Sequence, residues 1–204
     1  MTGVHPIEVE SYRILAERVD LSSLAPLDRA VVERMVHATA DLSFVGSARI
    51  GERATAALHD ALVAGAPVIV DAAMVAAGIT RYPTECYLPR IPVAPERSTR
   101  SAAAFELAAD EHPTGAVFVC GNAPTALFAL LDLHAAGRVE PAAVVGLPVG
   151  FVGAAESKEA LWASSLAPIS ITNVGERGGS PVAAGAVNAM VRAARSGDDP
   201  PRSG

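Results

Sequence analysis

The sequence predicts an α/β fold, a three-layer α/β/α arrangement with a mainly parallel central sheet and N-terminal helices packed alongside. Short β-rich runs recur at 68–70, 116–120, 143–146 and 169–172, and a helical stretch follows each. Strands that alternate with helices build a parallel sheet covered on both faces. The runs are continuously apolar rather than alternating, which is what a strand buried on both sides requires. The region before the first run is helical in texture, so its helices must lie beside the alternating unit.

The first helix is expected over 8–19, with Val9, Tyr12, Leu15, Ala16 and Val19 on its apolar side and Ser11 within it. The second is expected over 26–40, opening on Pro26, whose missing amide proton costs nothing in a first turn. At 100° per residue Leu27, Val31, Val32, Met35, Val36 and Thr39 form one broad apolar face. A third helix is expected over 49–64, ended by Gly65. Helices at 72–77, 125–136, 154–165 and 182–194 follow the four strands, and one at 101–109 precedes the second. A fifth strand is expected at 85–88. The segment 79–97 holds four prolines and shows no regular period. A loop of that length inside a compact domain is more often functional than idle. The chain reads as one domain over 1–195 with a disordered tail over 196–204.

A chain of 204 residues is long enough to bury a proper core. Its net charge of −6 offers no basic stripe to neutralise phosphates, so no nucleic-acid partner is expected. Lys158 is the only lysine among otherwise all-arginine cations. Codon bias accounts for that, and guanidinium groups would also suit a substrate rich in carboxylates. Cys86 and Cys120 make neither a disulfide framework nor a metal site. The stretch 113–131 has 19 residues without a formal charge, close to spanning length. Gly121-Asn122-Ala123-Pro124 interrupts it, so strand, turn and helix explain it better than a membrane span. No charged segment leading into an apolar run opens the chain, so a cytoplasmic protein without a secretory signal is expected.

In an open parallel sheet, ligands bind outside the carboxyl ends of the strands. Those ends lead into Asp71 and Gly78-Ile79-Thr80-Arg81, into Gly121-Asn122-Ala123-Pro124-Thr125, into 147–153, and into 173–180 with Arg177 and Ser180. Three of these segments carry glycine and enter a helix, where free N–H groups face a ligand. Standard fingerprints are missing. There is no G-x-G-x-x-G, and Gly146-x3-Gly150-x2-Gly153 lacks the Lys-Ser/Thr of a phosphate loop. The five histidines show no ligand spacing, and no G-x-S-x-G elbow occurs. The loops suit an anionic organic ligand other than NAD or ATP.

His37 lies roughly opposite the apolar face of its helix, on the side of Arg29, Ala30, Glu33 and Asp41. One reading is a solvated histidine on a polar face. The other is a proton donor or acceptor in a cleft closed by another body, since histidine titrates near neutral pH. Arg100 opens a helix, where a cation opposes the dipole by about 0.3–1 kcal/mol. It is either solvated or joined with that helix N-terminus in holding a carboxylate. Asp71, Ser180 and Asn122 each have a structural reading as helix caps.

Taken together, the segments Ser11-Tyr12-Arg13-Ile14-Leu15, Arg34-Met35-Val36-His37-Ala38, Gly65-Ala66-Pro67-Val68-Ile69-Val70-Asp71, Met74-Val75-Ala76-Ala77-Gly78-Ile79-Thr80-Arg81, Thr99-Arg100-Ser101-Ala102-Ala103, Gly121-Asn122-Ala123-Pro124-Thr125-Ala126-Leu127, 146–158 and Gly178-Gly179-Ser180 resemble the precorrin-8X methylmutase family of cobalamin biosynthesis. The resemblance runs in order over 8–192. It implies an isomerase that moves a methyl group from carbon 11 to carbon 12 of precorrin-8X, giving hydrogenobyrinic acid, by an intramolecular step that needs no cofactor or metal. It implies that His37 is the acid that starts the migration at a macrocycle nitrogen. It places Ser11, Thr80 and Arg100 on the substrate pocket and sets the active site at a homodimer interface. Arg81, Asn122, Arg177 and Ser180 are the further substrate-binding candidates. Two departures stand out: Ala40 where the family suggests glycine, and Arg177 where it suggests lysine. The alternatives are a cobalt-precorrin-8 methylmutase and a non-catalytic tetrapyrrole-binding protein on the same fold.

Overall fold

A computed structural model of the chain describes residues 5–197. Its centre is a six-stranded sheet in the order β1-β6-β5-β4-β2-β3. The strands are β1 (Ala48–Ile50), β2 (Val68–Val70), β3 (Glu85–Cys86), β4 (Val117–Cys120), β5 (Ala143–Gly146) and β6 (Ser170–Asn173). All pairings are parallel except β1 with β6. The helices are α1 (Pro6–Arg18), α2 (Pro26–Thr39), α3 (Ser43–Ser47), α4 (Ala54–Val63), α5 (Ala73–Gly78), α6 (Arg100–Glu111), α7 (Pro124–Ala135), α8 (Ala154–Ala163) and α9 (Ser180–Gly197). The four predicted strands, the fifth strand and the α/β class all stand in the structure.

Alternation along each strand divides the core in two, since successive side chains point to opposite faces. Val68 and Val70, Val117 and Val119, and Ala143 and Val145 join the side chains of α2, α4, α5 and α9. Ile69, Phe118 and Val144 join those of α6, α7 and α8 on the other face. There Phe105 meets Phe118 edge to face at 5.3 Å between centroids. The continuous apolar runs follow from this, because neither face of a central strand meets water.

The helix expected over 49–64 is divided. Ala48, Arg49 and Ile50 pair antiparallel with Asn173, Thr172 and Ile171, and the helix begins at Ala54. Three residues are too few to show a strand period, so pairing with β6 overrides the local pattern. On α1 only Leu15 is fully buried, while Val9 is 56 % exposed. That helix lies against α2 rather than the sheet, so its apolar face is narrower than its sequence implies. On α2 the predicted Val31, Val32, Met35 and Val36 are buried, but Thr39 is exposed and its hydroxyl donates to the Met35 carbonyl at 3.0 Å. The proline-rich segment contributes β3 and a turn of 3-10 helix at Leu88–Arg90. α9 continues to Gly197, two residues into the segment read as a tail, and the remainder of that segment lies outside the described residues.

α2 ends on Ala40, whose φ of 52° is left-handed. A Cβ is disfavoured there by roughly 1–2 kcal/mol. Ala40→Gly is therefore expected to stabilise the protein by about 1 kcal/mol. Thermal unfolding should rise by roughly 2–4 °C for a chain of this size, and an unchanged or lower midpoint would show that the cap carries no strain.

Candidate active site

α2 crosses α9 closely because Gly185 offers no side chain: a Cβ there would lie 3.1 Å from the Arg34 carbonyl oxygen. Beside that crossing opens a cleft of about 190 Å³, lined by Arg34, His37 and Ala38 from α2, Gly78 at the end of α5, and Pro181, Ala184, Gly185 and Asn188 from α9. His37 thus leaves its own helix away from the core, as its position implies, and enters this cleft half-buried.

α1 supplies the cover. The Ser11 hydroxyl lies 2.9 Å from His37 Nδ1. The Tyr12 ring stacks on the imidazole, with centroids 5.0 Å apart and planes 13° from parallel. Nδ1 is therefore engaged, and Nε2 is the nitrogen left for a ligand. The Arg34 guanidinium, three residues before His37 and on the same side, lies 5.5 Å from the Tyr12 ring centre. Arg34 and Arg192 both donate to Glu8 Oε1 at 2.8 Å. Burial alone would raise the Glu8 carboxyl, but the Arg192 hydrogen bond and the Arg34 charge outweigh it and hold the carboxyl below its usual value. Two cations thus share one anion beside the cleft. Tyr12 is pushed upward by burial and stays a neutral phenol, and its buried hydroxyl has no hydrogen-bond partner among the described residues.

Thr80 reaches the site through Asn188. Asn188 Oδ1 accepts from the Thr80 amide at 2.9 Å, and its Nδ2 donates to the Gly78 carbonyl at 2.8 Å. This ties the segment after α5 to the cleft wall. Arg81, next along, is exposed with φ at 66°. A non-glycine residue held there is the kind of local strain that collects at functional sites.

The remaining candidates stand elsewhere. Arg100 opens α6 but its guanidinium donates to the Ile91 and Leu88 carbonyls at 2.5 and 3.1 Å. It straps the proline-rich segment onto α6. Asn122 is exposed in the β4–α7 loop, where Ala123 rather than Asn122 takes the cap position, with no side-chain cap bond. Arg177 reaches back to Asp41 and to the Ser43 hydroxyl, linking the β6–α9 loop to the turn after α2. Ser180 is the first residue of α9 rather than its cap, buried, and its hydroxyl has no hydrogen-bond partner among the described residues.

Asp71 also departs from the cap reading. α5 has no side-chain cap. The fully buried Asp71 carboxylate instead accepts the amides of Gly121, Asn122 and Ala123 at 2.9, 2.8 and 2.6 Å. Burial pushes it up from its ordinary value while those three donors draw it back. It holds the β4–α7 loop from beneath.

Sequence reasoning missed Tyr12, Arg34, Glu8, Arg192 and Asn188 as members of this site. Arg34 carried a signal, since residues three apart on a helix share a face. The others are brought in by tertiary packing. Among the described residues no group of three or more His, Cys, Asp or Glu side chains is placed to hold a metal ion. No described helix is long and apolar enough to cross a membrane.

The precorrin-8X methylmutase family model matches residues 6–193. A cobalt-precorrin-8 methylmutase of Methanothermobacter thermautotrophicus is 43 % identical over 92 % of this chain and 92 % of its own length. A precorrin-8X methylmutase of Pseudomonas aeruginosa is 44 % identical over 89 % of this chain and 91 % of its own. The solved precorrin-8X methylmutase of Thermus thermophilus superposes with a TM-score of 0.84 at 34 % identity, covering 96 % of this chain and 98 % of that one. The chain belongs to the precorrin-8X methylmutase family and is an isomerase of cobalamin biosynthesis.

Proposed function

We propose that this methylmutase works by acid catalysis from His37 in a chamber completed by a second copy of the chain. The single observation that carries the reading is the placement of the imidazole: half-buried in a cleft, held on one side by Ser11 and Tyr12, with no hydrogen-bond partner for Nε2 among the described residues. As imidazolium, His37 donates Nδ1–H to the Ser11 hydroxyl and presents Nε2–H to a nitrogen of the macrocycle. Protonation there draws electron density from the conjugated ring. The methyl group then leaves carbon 11 and bonds to carbon 12 within one molecule, giving hydrogenobyrinic acid, and the ring returns the proton. No cofactor is asked to take part.

Ser11 acts through the imidazole by fixing its orientation. Arg34 offers positive charge to the carboxylates of the substrate at the same cleft. Thr80 and Arg81 lie along the rim that Asn188 holds in place. Arg100, Asn122, Arg177 and Ser180 belong to the wider substrate surface around the carboxyl ends of the strands, and the loop that Arg100 straps forms part of that wall.

The cleft of about 190 Å³ is below the 300–1,000 Å³ usual for pockets that enclose a small ligand. It can seat one edge of a corrin precursor and no more. Meanwhile the connections that leave the carboxyl ends of the strands expose Phe151 at 89 % and Val152 at 88 %, and also Val149, Val174 and, on α5, Met74. Apolar side chains presented this way mark a surface that something covers. A homodimer with the macrocycle held between the copies accounts for both facts. A cytoplasmic location accords with a biosynthetic enzyme of this kind.

His37→Ala should still bind hydrogenobyrinic acid, while turnover of precorrin-8X, followed by its visible spectrum, falls about 10²–10⁴-fold. Ser11→Ala should lower kcat by a smaller factor with KM little changed. Full turnover in His37→Ala would remove the acid from the mechanism, and a wild-type chain that binds the macrocycle without converting it would mark a carrier. Phe151→Asp should shift the protein from dimer toward monomer in analytical ultracentrifugation and lower turnover together. A variant that stays dimeric and active would place the interface elsewhere.

A further inference from the structure

Lys158, the only lysine in the chain, is wholly buried on α8. A buried ammonium is costly unless its protons are taken up, so its partners say what it is for. Nζ donates to Asn173 Oδ1 at 3.1 Å and to the Arg177 carbonyl at 2.5 Å. Asn173 Nδ2 in turn donates to the Val174 and Arg177 carbonyls at 3.1 and 2.9 Å. One cation and one amide thus gather the main chain of the turn that follows β6.

The grip passes along the chain to the cleft in four residues. Gly178 is wedged against the preceding loop, where a Cβ would stand 2.4 Å from both the Leu147 and Pro148 carbonyl oxygens. The Gly179 amide donates to Leu147 at 2.8 Å, and Gly179 accepts from Ala183 to start α9. Pro181, two residues on, lines the cleft with His37. The first turn of α9 therefore stands where it does because the turn behind it is held.

We propose that Lys158 is a positioning residue of the methyl-shift site, holding the β6–α9 turn so that the start of α9 walls the His37 cleft in the shape the macrocycle needs. This rests on the His37 cleft being the reaction site. Burial lowers the amine to about 8, so the group is charged at neutral pH. A charged donor holds carbonyl oxygens about twice as firmly as a neutral one.

Lys158→Met keeps the volume and removes the donors, while Asn173 still serves the Arg177 carbonyl. The variant should keep its circular dichroism spectrum, with kcat on precorrin-8X lowered about tenfold or more, as small misplacements at a site produce. A kcat within twofold of wild type in the folded variant overturns the proposal. A second measurement needs no variant. In protein labelled selectively at lysine with ¹³C and ¹⁵N, Lys158 gives the sole lysine side-chain signal. That signal should shift when hydrogenobyrinic acid is added, as a strut coupled to the occupied cleft requires. A signal unmoved at saturating product overturns the proposal even where Lys158→Met fails to fold. Because this arm reads binding rather than turnover, it stands apart from the test of His37 as the acid.

Discussion

The close crossing of α2 over α9 is the contact on which the site depends. Gly185 lets the two backbones approach at Arg34, and Val31, Val32, Met35 and Val36 are buried on that side of α2. With its apolar face committed to the core, α2 must turn Arg34 and His37 toward the edge of the contact. There the cleft opens against α9, and α1 lies over the imidazole through Ser11 and Tyr12. A larger residue at 185 would push the helices apart and widen the cleft. A polar residue at 32 or 36 would free α2 to roll. The position of the imidazole is thus set by packing several residues away, and Ser11 and Tyr12 refine an orientation that the crossing has already chosen.

The second constraint lies beneath the carboxyl ends of the strands. A parallel sheet leaves its connecting loops without ladder partners, and each buried main-chain N–H or carbonyl must find one. Here two buried side chains of opposite charge supply them. Asp71 takes three amides of the β4–α7 loop, and Lys158 gathers the turn after β6. The Thr172 hydroxyl adds a bond to the Gly146 carbonyl at 2.6 Å. Removing one partner of such a buried arrangement costs more than the bond is worth, because the other is left unsatisfied. These groups therefore fix loop shape, and with it where the following helices begin, more than they raise stability.

The sheet was legible in the sequence because its signal is local. Runs such as Val117-Phe118-Val119-Cys120 are apolar on both faces and cannot be mistaken for a solvated element. The same local logic placed His37 on the outward side of α2. β1 was not legible, since Ala48-Arg49-Ile50 becomes a strand only by meeting Asn173, Thr172 and Ile171, more than a hundred residues away. The cap reading of Asp71 failed for the same reason: a carboxylate before a helix fits a cap, and only the fold brings Gly121, Asn122 and Ala123 above it. Asn188 sits in a helix with nothing in its neighbours to single it out, yet it joins the Thr80 segment to the cleft. Ser11 and Thr80 are pocket candidates by family resemblance alone, which no period in the chain would have indicated.

Charge at the cleft follows a similar division of labour. Arg34 and Arg192 converge on one carboxylate, Glu8. A single anion shared between two guanidiniums keeps them from repelling one another beside the imidazole. Tyr12, neutral and stacked on His37, shields one face of the imidazole from water without adding charge to it. Among the described residues the Nε2 edge meets no hydrogen-bond partner. The cleft thus sets arginine, serine and tyrosine around a single imidazole.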